Sequence, residues 1–133
     1  YLLGSSRISD EKMYAAQSNV MKNLAQESSC LIVGRSADYV LRNHPGLISI
    51  FIHSSIEERI MRIMNRTGID SAEKARALAE KKDKLRASYY NFYTDKTWGD
   101  AAGYDLSIDS SKLSTEAVAE FIVSYVKARL ALM

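Results

Sequence analysis

Two short apolar runs constrain this chain most. Cys30-Leu31-Ile32-Val33 stops at Gly34, and Leu47-Ile48-Ser49-Ile50-Phe51-Ile52 is rich in β-branched residues. Each has the length of a strand and neither shows a clean polar and apolar alternation, the pattern of strands covered on both faces in a parallel sheet. A third segment, Tyr104-Asp105-Leu106-Ser107-Ile108-Asp109, does alternate and also reads as a strand. Helical patterns separate the three. Strands alternating with helices imply βαβ crossovers and an α/β fold with a parallel sheet. Ligands of such sheets bind beyond the carboxyl ends of the strands, so the search for chemistry starts at Gly34, Arg35, Ser36 and Asp38, then at His53, Ser54 and Ser55, then at Asp109, Ser110 and Ser111.

The helices carry their own signals. Over residues 10–27, Met13, Ala16, Val20, Met21 and Leu24 fall on one helical face, with Ser9 as a natural N-cap and Ile8 placed for a hydrophobic staple onto Met13. Ser54 stands three residues before Glu57, a capping-box arrangement that starts a helix over 55–66. Its inner face is Ile56, Ile60, Ile63 and Met64, Arg59, Arg62 and Arg66 recur on another face, and Gly68 ends it. The pattern repeats at Asp70-Ser71-Ala72-Glu73, opening a helix over 72–90 with a weak apolar stripe of Ala75, Leu78 and Leu85. Such a helix covers a core rather than filling it. After Ser110-Ser111, a last helix presents Val118, Phe121, Ile122, Tyr125 and Val126.

Composition narrows the class. With 133 residues, 47% hydrophobic and 26% charged, the chain suits one compact domain, and it holds no internal repeat or low-complexity segment. A lone cysteine, Cys30, cannot close an internal disulfide and heads an apolar run, which favours packing in a reducing cytoplasm over a catalytic thiol. No apolar stretch approaches the roughly 18 residues of a membrane span, and no signal pattern opens the chain, so no membrane role is expected. The chain begins with Tyr1 rather than Met, and the start is expected upstream.

Net charge is +2, too small for wholesale nucleic-acid binding, yet half of the eighteen Lys and Arg lie between Glu57 and Arg86, against six acids over the same span. That stretch fits a mobile cover that brings cations onto transferring phosphates, with Lys82, Lys84 and Arg86 as candidates. It equally fits a solvated helix laced with Glu and Lys pairs. Gly34-Arg35 places a donor fork at a strand end, suited to a phosphate or to pairing with Asp38. His44 and His53 have no Cys or carboxylate at ligand spacing, so no metal site is expected. Tyr89, Tyr90, Phe92, Tyr93 and Trp98 form an aromatic cluster, which reads as packing ahead of a base-stacking platform. Asp109-Ser110-Ser111 reads as an approach to a base or ribose, or as a turn and helix entrance.

Taken in order, Cys30-Leu-Ile-Val-Gly-Arg-Ser-Ala-Asp-Tyr-Val-Leu41, Ile50-Phe-Ile-His-Ser-Ser-Ile-Glu-Glu-Arg59, Lys82-Asp-Lys-Leu-Arg-Ala-Ser-Tyr-Tyr-Asn-Phe-Tyr93, Trp98-Gly-Asp100 and Tyr104-Asp-Leu-Ser-Ile-Asp-Ser-Ser111 resemble the cytidylate kinase-like family across residues 12–127. That resemblance implies a P-loop nucleoside monophosphate kinase fold, a three-layer α/β/α parallel sheet, here without its N-terminal phosphate-loop strand. It implies transfer of a phosphoryl group from ATP, with Mg2+, to a nucleoside monophosphate such as CMP or dCMP. By position, Arg35 matches the arginine that holds the acceptor monophosphate, Lys84 and Arg86 match the lid cations that close on ATP, and Asp83 matches the acidic lid residue. Residues 58–100 then form the lid-like region of a single domain spanning 1–133, and self-association is left open. Arg59 falls in the helix opening after the fourth strand of that fold, a place open to a structural or a functional role. In two respects the chain departs from the family pattern. Ser36 stands where bacterial cytidylate kinases carry Asp, with Asp38 as the nearest substitute for recognising the nucleoside. No Gly-rich loop with its lysine precedes the first helix, Gly4-Ser5-Ser6 being a polar turn with a single Gly. The chain by itself is expected to be inactive, and the reading from a different class is a non-catalytic nucleotide-binding or interaction domain that lost the loop.

Overall fold

A computed structural model of the chain describes residues 2–133, with side chains from Ser9 onward. The fold is mixed α/β and mostly helical. In chain order it runs α1 (Leu2–Glu27), α2 (Ala37–Val40), β1 (Ile50–His53), α3 (Ile56–Thr67), α4 (Ala72–Tyr93), a single 3-10 turn (Ala101–Gly103), β2 (Leu106–Asp109) and α5 (Thr115–Leu130). The chain divides into two compact units, Tyr1–Leu47 and Ile48–Met133.

In the first unit, α1 and α2 close a small core of Met21, Ala37 and Val40, joined by the half-buried Tyr14, Ile32 and Leu41. The helix expected over 10–27 starts earlier, at Leu2, so Ser9 lies inside it and caps nothing. The staple expected of Ile8 lies outside the described side chains. Of the expected apolar face, Met21 is buried while Met13, Val20 and Leu24 are exposed. The segment 30–33, expected as a buried strand, is not one. No strand of its own unit lies beside it, and among the described residues its amides make no backbone hydrogen bond, so the ladder that defines a strand is missing. Leu31 and Val33 are 91% and 86% exposed, and Ile32 alone reaches the core.

The second unit is built on a two-stranded parallel sheet in which Ile50, Phe51, Ile52 and His53 pair with Leu106, Ser107, Ile108 and Asp109. The parallel pairing expected of these two strands is therefore present, joined by a long crossover through α3 and α4. At the amino ends of the strands, Asp105 accepts from the Ser49 amide at 2.8 Å and pairs with Arg129 of α5 at 3.1 Å, fixing the last helix to the sheet. Burial raises the pKa of the Asp105 carboxyl, but the Ser49 amide, Arg129 and the Ser49 hydroxyl outweigh it and hold that pKa below the ordinary aspartate value.

Capping sets the helix starts, with the side chains shifted by one from the expected box. Ser55, rather than Ser54, accepts from the Glu58 amide at 3.3 Å to start α3. Gly68 closes α3 at φ 73°, a left-handed cap that glycine adopts without a Cβ penalty. Ser71 caps α4 through the Lys74 amide, and Ser114 caps α5 through the Ala117 amide, so Ser110 and Ser111 are free for other work. On α4 the expected stripe of Ala75, Leu78 and Leu85 is met in part: Ala75 is covered and Leu78 half-buried, but Leu85 is not. Ala75 and Ala79 are fully covered and Leu85 is 62% exposed, because the small alanines let the two helices approach closely and turn the leucine outward. On α5 Val118 is buried, while Phe121 is exposed.

Candidate functional site

The second unit carries an open cavity of about 620 Å³ beyond the carboxyl end of β1, the place where parallel sheets bind ligands. Phe51, His53 and Ser54 come from the strand and its exit, Arg59 and Arg62 from α3, Asp83 and Arg86 from α4, Trp98 and Gly99 from the loop after α4, and Ser107 and Ser110 from β2 and its exit.

Its charged wall follows from helix geometry. Arg59 and Arg62 are three residues apart near the start of α3, hence neighbours on one side of the helix. On α4, Ala75, Ala79 and Asp83 repeat every four residues, so the alanine stripe that touches α3 continues into a carboxylate. Arg59 meets that carboxylate fork to fork, Nη1 donating to Oδ2 and Nη2 to Oδ1, both at 2.7 Å, and Nη2 also reaches the Ala79 carbonyl at 3.5 Å. Arg86, one turn further along α4, donates to Oδ1 of the same Asp83 at 3.3 Å. Arg62 lines the cavity and has no ion pair among the described residues. Three arginines and one aspartate thus line the cavity. The wall carries excess positive charge in a donor geometry matched to phosphate oxygens.

A hydroxyl knot ties the strand exits together. The Ser111 hydroxyl donates to Asp109 and accepts from the Ser55 amide at 2.7 Å, and the Ser110 hydroxyl donates to the His53 carbonyl at 2.9 Å. Donation from the Ser111 hydroxyl and then from its amide holds the pKa of the Asp109 carboxyl below its ordinary value. By gripping the residue that caps α3, this knot sets where the helix, and with it Arg59 and Arg62, stands relative to the strand.

The floor of the cavity is aromatic. Phe51 stacks on Tyr104 at 4.9 Å between ring centroids, and Trp98 meets Phe51 edge to face at 5.4 Å.

Of the residues expected at a site, Asp83 and Arg86 come together in this cavity, whereas Lys84 is exposed and does not line it. Lys84 follows Asp83 directly, so it projects about 100° around α4 from the carboxylate. Arg35, Ser36 and Asp38 belong to the first unit. Arg35 is exposed, both it and Ser36 hold positive φ, at 58° and 56°, and the Ser36 hydroxyl is buried without a partner among the described residues. Asp38 is half-buried in the first turn of α2. Sequence reasoning gave Arg62 no place in a site and left Arg59 open. Their three-residue spacing after a strand exit is the signal that points to both. Among the described residues no group of three or more His, Cys, Asp and Glu side chains is arranged to hold a metal ion, and no helix is long and apolar enough to cross a membrane.

No curated protein matches the chain. Among solved structures, the crystal structure of an uncharacterized protein from Eubacterium ventriosum is similar at 32% identity with a TM-score of 0.83, over 86% of this chain. This chain spans 65% of the length of that protein. The model of the cytidylate kinase-like family matches residues 1–112. The chain therefore belongs to the cytidylate kinase-like family.

Proposed function

We propose that the complete protein transfers the γ-phosphoryl group of ATP to a nucleoside monophosphate of the CMP or dCMP kind, and that this chain supplies the acceptor and lid parts of its site. One observation carries the reading: Arg59, Arg62 and Arg86 converge on one cavity at the carboxyl end of a parallel strand, in a chain of the cytidylate kinase-like family. In the reaction an oxygen of the acceptor monophosphate attacks the γ-phosphorus, the bond to the β–γ bridging oxygen breaks, and ADP leaves with the electron pair. There is little covalent chemistry for the protein to perform, so catalysis is positioning together with neutralisation of charge on the phosphoryl oxygens.

The residues fit those tasks. Arg62 is exposed and has no ion pair among the described residues, ready to take a phosphate oxygen. Arg86 holds Asp83 only at 3.3 Å and is 57% exposed, so it can exchange that weak pair for phosphate. Arg59, bound fork to fork, is the fixed member that holds the Asp83 carboxylate in place. Mg2+ suits such a site as a companion of ATP, because it is held mostly by phosphate oxygens and water. Arg35, exposed and without a partner among the described residues, is assigned to the acceptor phosphate, with Ser36 and Asp38 beside it for the nucleoside. Lys84 is assigned to the outer face of a lid over residues 58–100. In this account the complete protein has the three-layer P-loop kinase architecture as one domain and works in the cytoplasm, where ATP is at hand and the unpaired Cys30 stays reduced.

The test is steady-state kinetics on the complete protein. Arg86→Ala lowers kcat by about 100-fold, the scale of losing one preorganised charge donor at a transition state. Arg35→Ala raises the KM for the monophosphate while leaving that for ATP near the original. Equal losses for both substrates contradict the assignment.

A further inference from the structure

We propose that Trp98 is the base-stacking wall of the arginine-lined cavity, so that the ligand held there is a nucleoside phosphate with its base against the indole and its phosphates on Arg59, Arg62 and Arg86. This rests on the reading of the cavity as a nucleotide site and adds a residue to it.

Trp98 is the single tryptophan of the sequence, half-buried at the cavity. The loop that bears it is held at many points. The Thr94 hydroxyl donates to the Tyr90 carbonyl at 2.7 Å and accepts from the Lys96 amide at 3.1 Å. The Lys96 ammonium donates to the Gly103 carbonyl at 3.1 Å. The Trp98 amide donates to the Asn91 side chain at 2.8 Å, and the Gly99 amide to the Tyr104 hydroxyl at 3.2 Å. Ordering backbone costs roughly 1–2 kcal/mol per residue, so a surface loop pinned this heavily fixes the place of what it carries.

What it fixes is an orientation. Gly99 has φ 80°, and a Cβ there would meet the Phe51 ring at 3.5 Å, so the loop lies in van der Waals reach of the aromatic floor. The rings of Phe51 and Tyr104 are nearly parallel, 25° apart, whereas Trp98 is turned 88° from Phe51. The indole therefore does not extend the stack beneath it. It stands across the floor as a side wall, keeping part of its surface open to the cavity. A cavity with excess positive charge on one wall and a fixed aromatic plane on another matches a ligand that joins a planar ring to phosphates. Its volume falls within the roughly 300–1,000 Å³ of small-molecule sites. Inorganic phosphate or a simple polyphosphate would use the arginines and leave the indole idle.

The experiment titrates the complete protein with ATP, CMP and tripolyphosphate, reading Kd by calorimetry and tryptophan fluorescence, for the original protein and for Trp98→Phe and Trp98→Leu. ATP is expected to quench a fluorescence component that Trp98→Phe lacks, whereas tripolyphosphate, and CMP seated at Arg35, are expected to bind without quenching it. Base stacking is worth about 1–3 kcal/mol, so Trp98→Leu should weaken ATP by about 5- to 150-fold, with Trp98→Phe within about 3-fold of the original and tripolyphosphate unchanged in all three. ATP that binds without touching Trp98 fluorescence overturns the stacking role and leaves the nucleotide site standing, as does a Trp98→Leu that binds ATP normally. Equal losses for ATP and tripolyphosphate also overturn it, since they mark a packing role. Absence of nucleotide binding to the original protein overturns the nucleotide reading of the cavity and the stacking role with it. The fluorescence comparison of nucleotide against tripolyphosphate needs no folded leucine variant.

Discussion

Replacing Arg59 by alanine separates a structural arginine from its neighbours. Its side chain is 26% exposed and that of Asp83 29%, so the pair is partly screened from water, and both oxygens are engaged at 2.7 Å. Exposed ion pairs contribute about 0–1 kcal/mol, while breaking a buried one costs about 3–5. A half-covered bidentate pair that bridges two helices falls between them, and we expect Arg59→Ala to cost about 1–2 kcal/mol. For a chain of this length that lowers the melting temperature by roughly 3–10 °C. Arg86, more exposed and at 3.3 Å from the same carboxylate, should cost less than about 0.5 kcal/mol on truncation. A double-mutant cycle of Arg59→Ala with Asp83→Ala, followed by urea unfolding, should give a coupling near 1 kcal/mol that persists at high salt. Equal costs for Arg59 and Arg86, or a coupling near zero, refute the division of labour between them.

Other outcomes follow from the same geometry. The Asp105 carboxyl has a pKa lowered in the folded state, so it stabilises the fold above the unfolded aspartate value near 3.9, and that contribution is lost as pH falls through the folded value. Asp105→Asn should therefore be less stable than the original at neutral pH and approach it below about pH 4, read by thermal melts across pH. Gly68→Ala meets no neighbouring atom but holds φ 73°, so it should cost about 1 kcal/mol from backbone strain alone, again by melting. Ser111→Ala removes the hydroxyl that accepts from the Ser55 amide, and should raise the KM for ATP while Arg62→Ala still lowers activity further, in initial-rate assays.

Much of the second unit was legible in the sequence, since its signals are local. The run at 47–52 and the alternation at 104–109 mark β1 and β2, the hydroxyls before α3 and α4 mark their starts, and Gly68 marks an end. Contacts distant in sequence left no such trace. Arg59 and Asp83 are 24 residues apart, and only the placing of α3 on α4 through Ala75 and Ala79 brings them together. Alanine is weak in any hydrophobic count, so Ala79 has no mark beside Ala75, and Leu85 falls on the pattern although it is exposed. The run 30–33 was misread for the opposite reason: its composition suits a strand, but a strand is made by its neighbour. At the site, Asp83 and Arg86 were marked by resemblance, Arg59 and Arg62 only by spacing. The aromatic cluster reads as packing, and Trp98 does meet the Phe51 ring, though its orthogonal setting there has no signature in sequence.

The central claim is phosphoryl transfer between two nucleotides, and phosphorus NMR of the complete protein mixed with ATP, Mg2+ and CMP, dCMP or UMP in turn tests it most directly. The account predicts ADP appearing together with a nucleoside diphosphate made from at least one acceptor, in equal amounts. No diphosphate product from any acceptor, or ADP formed only with inorganic phosphate, would contradict it.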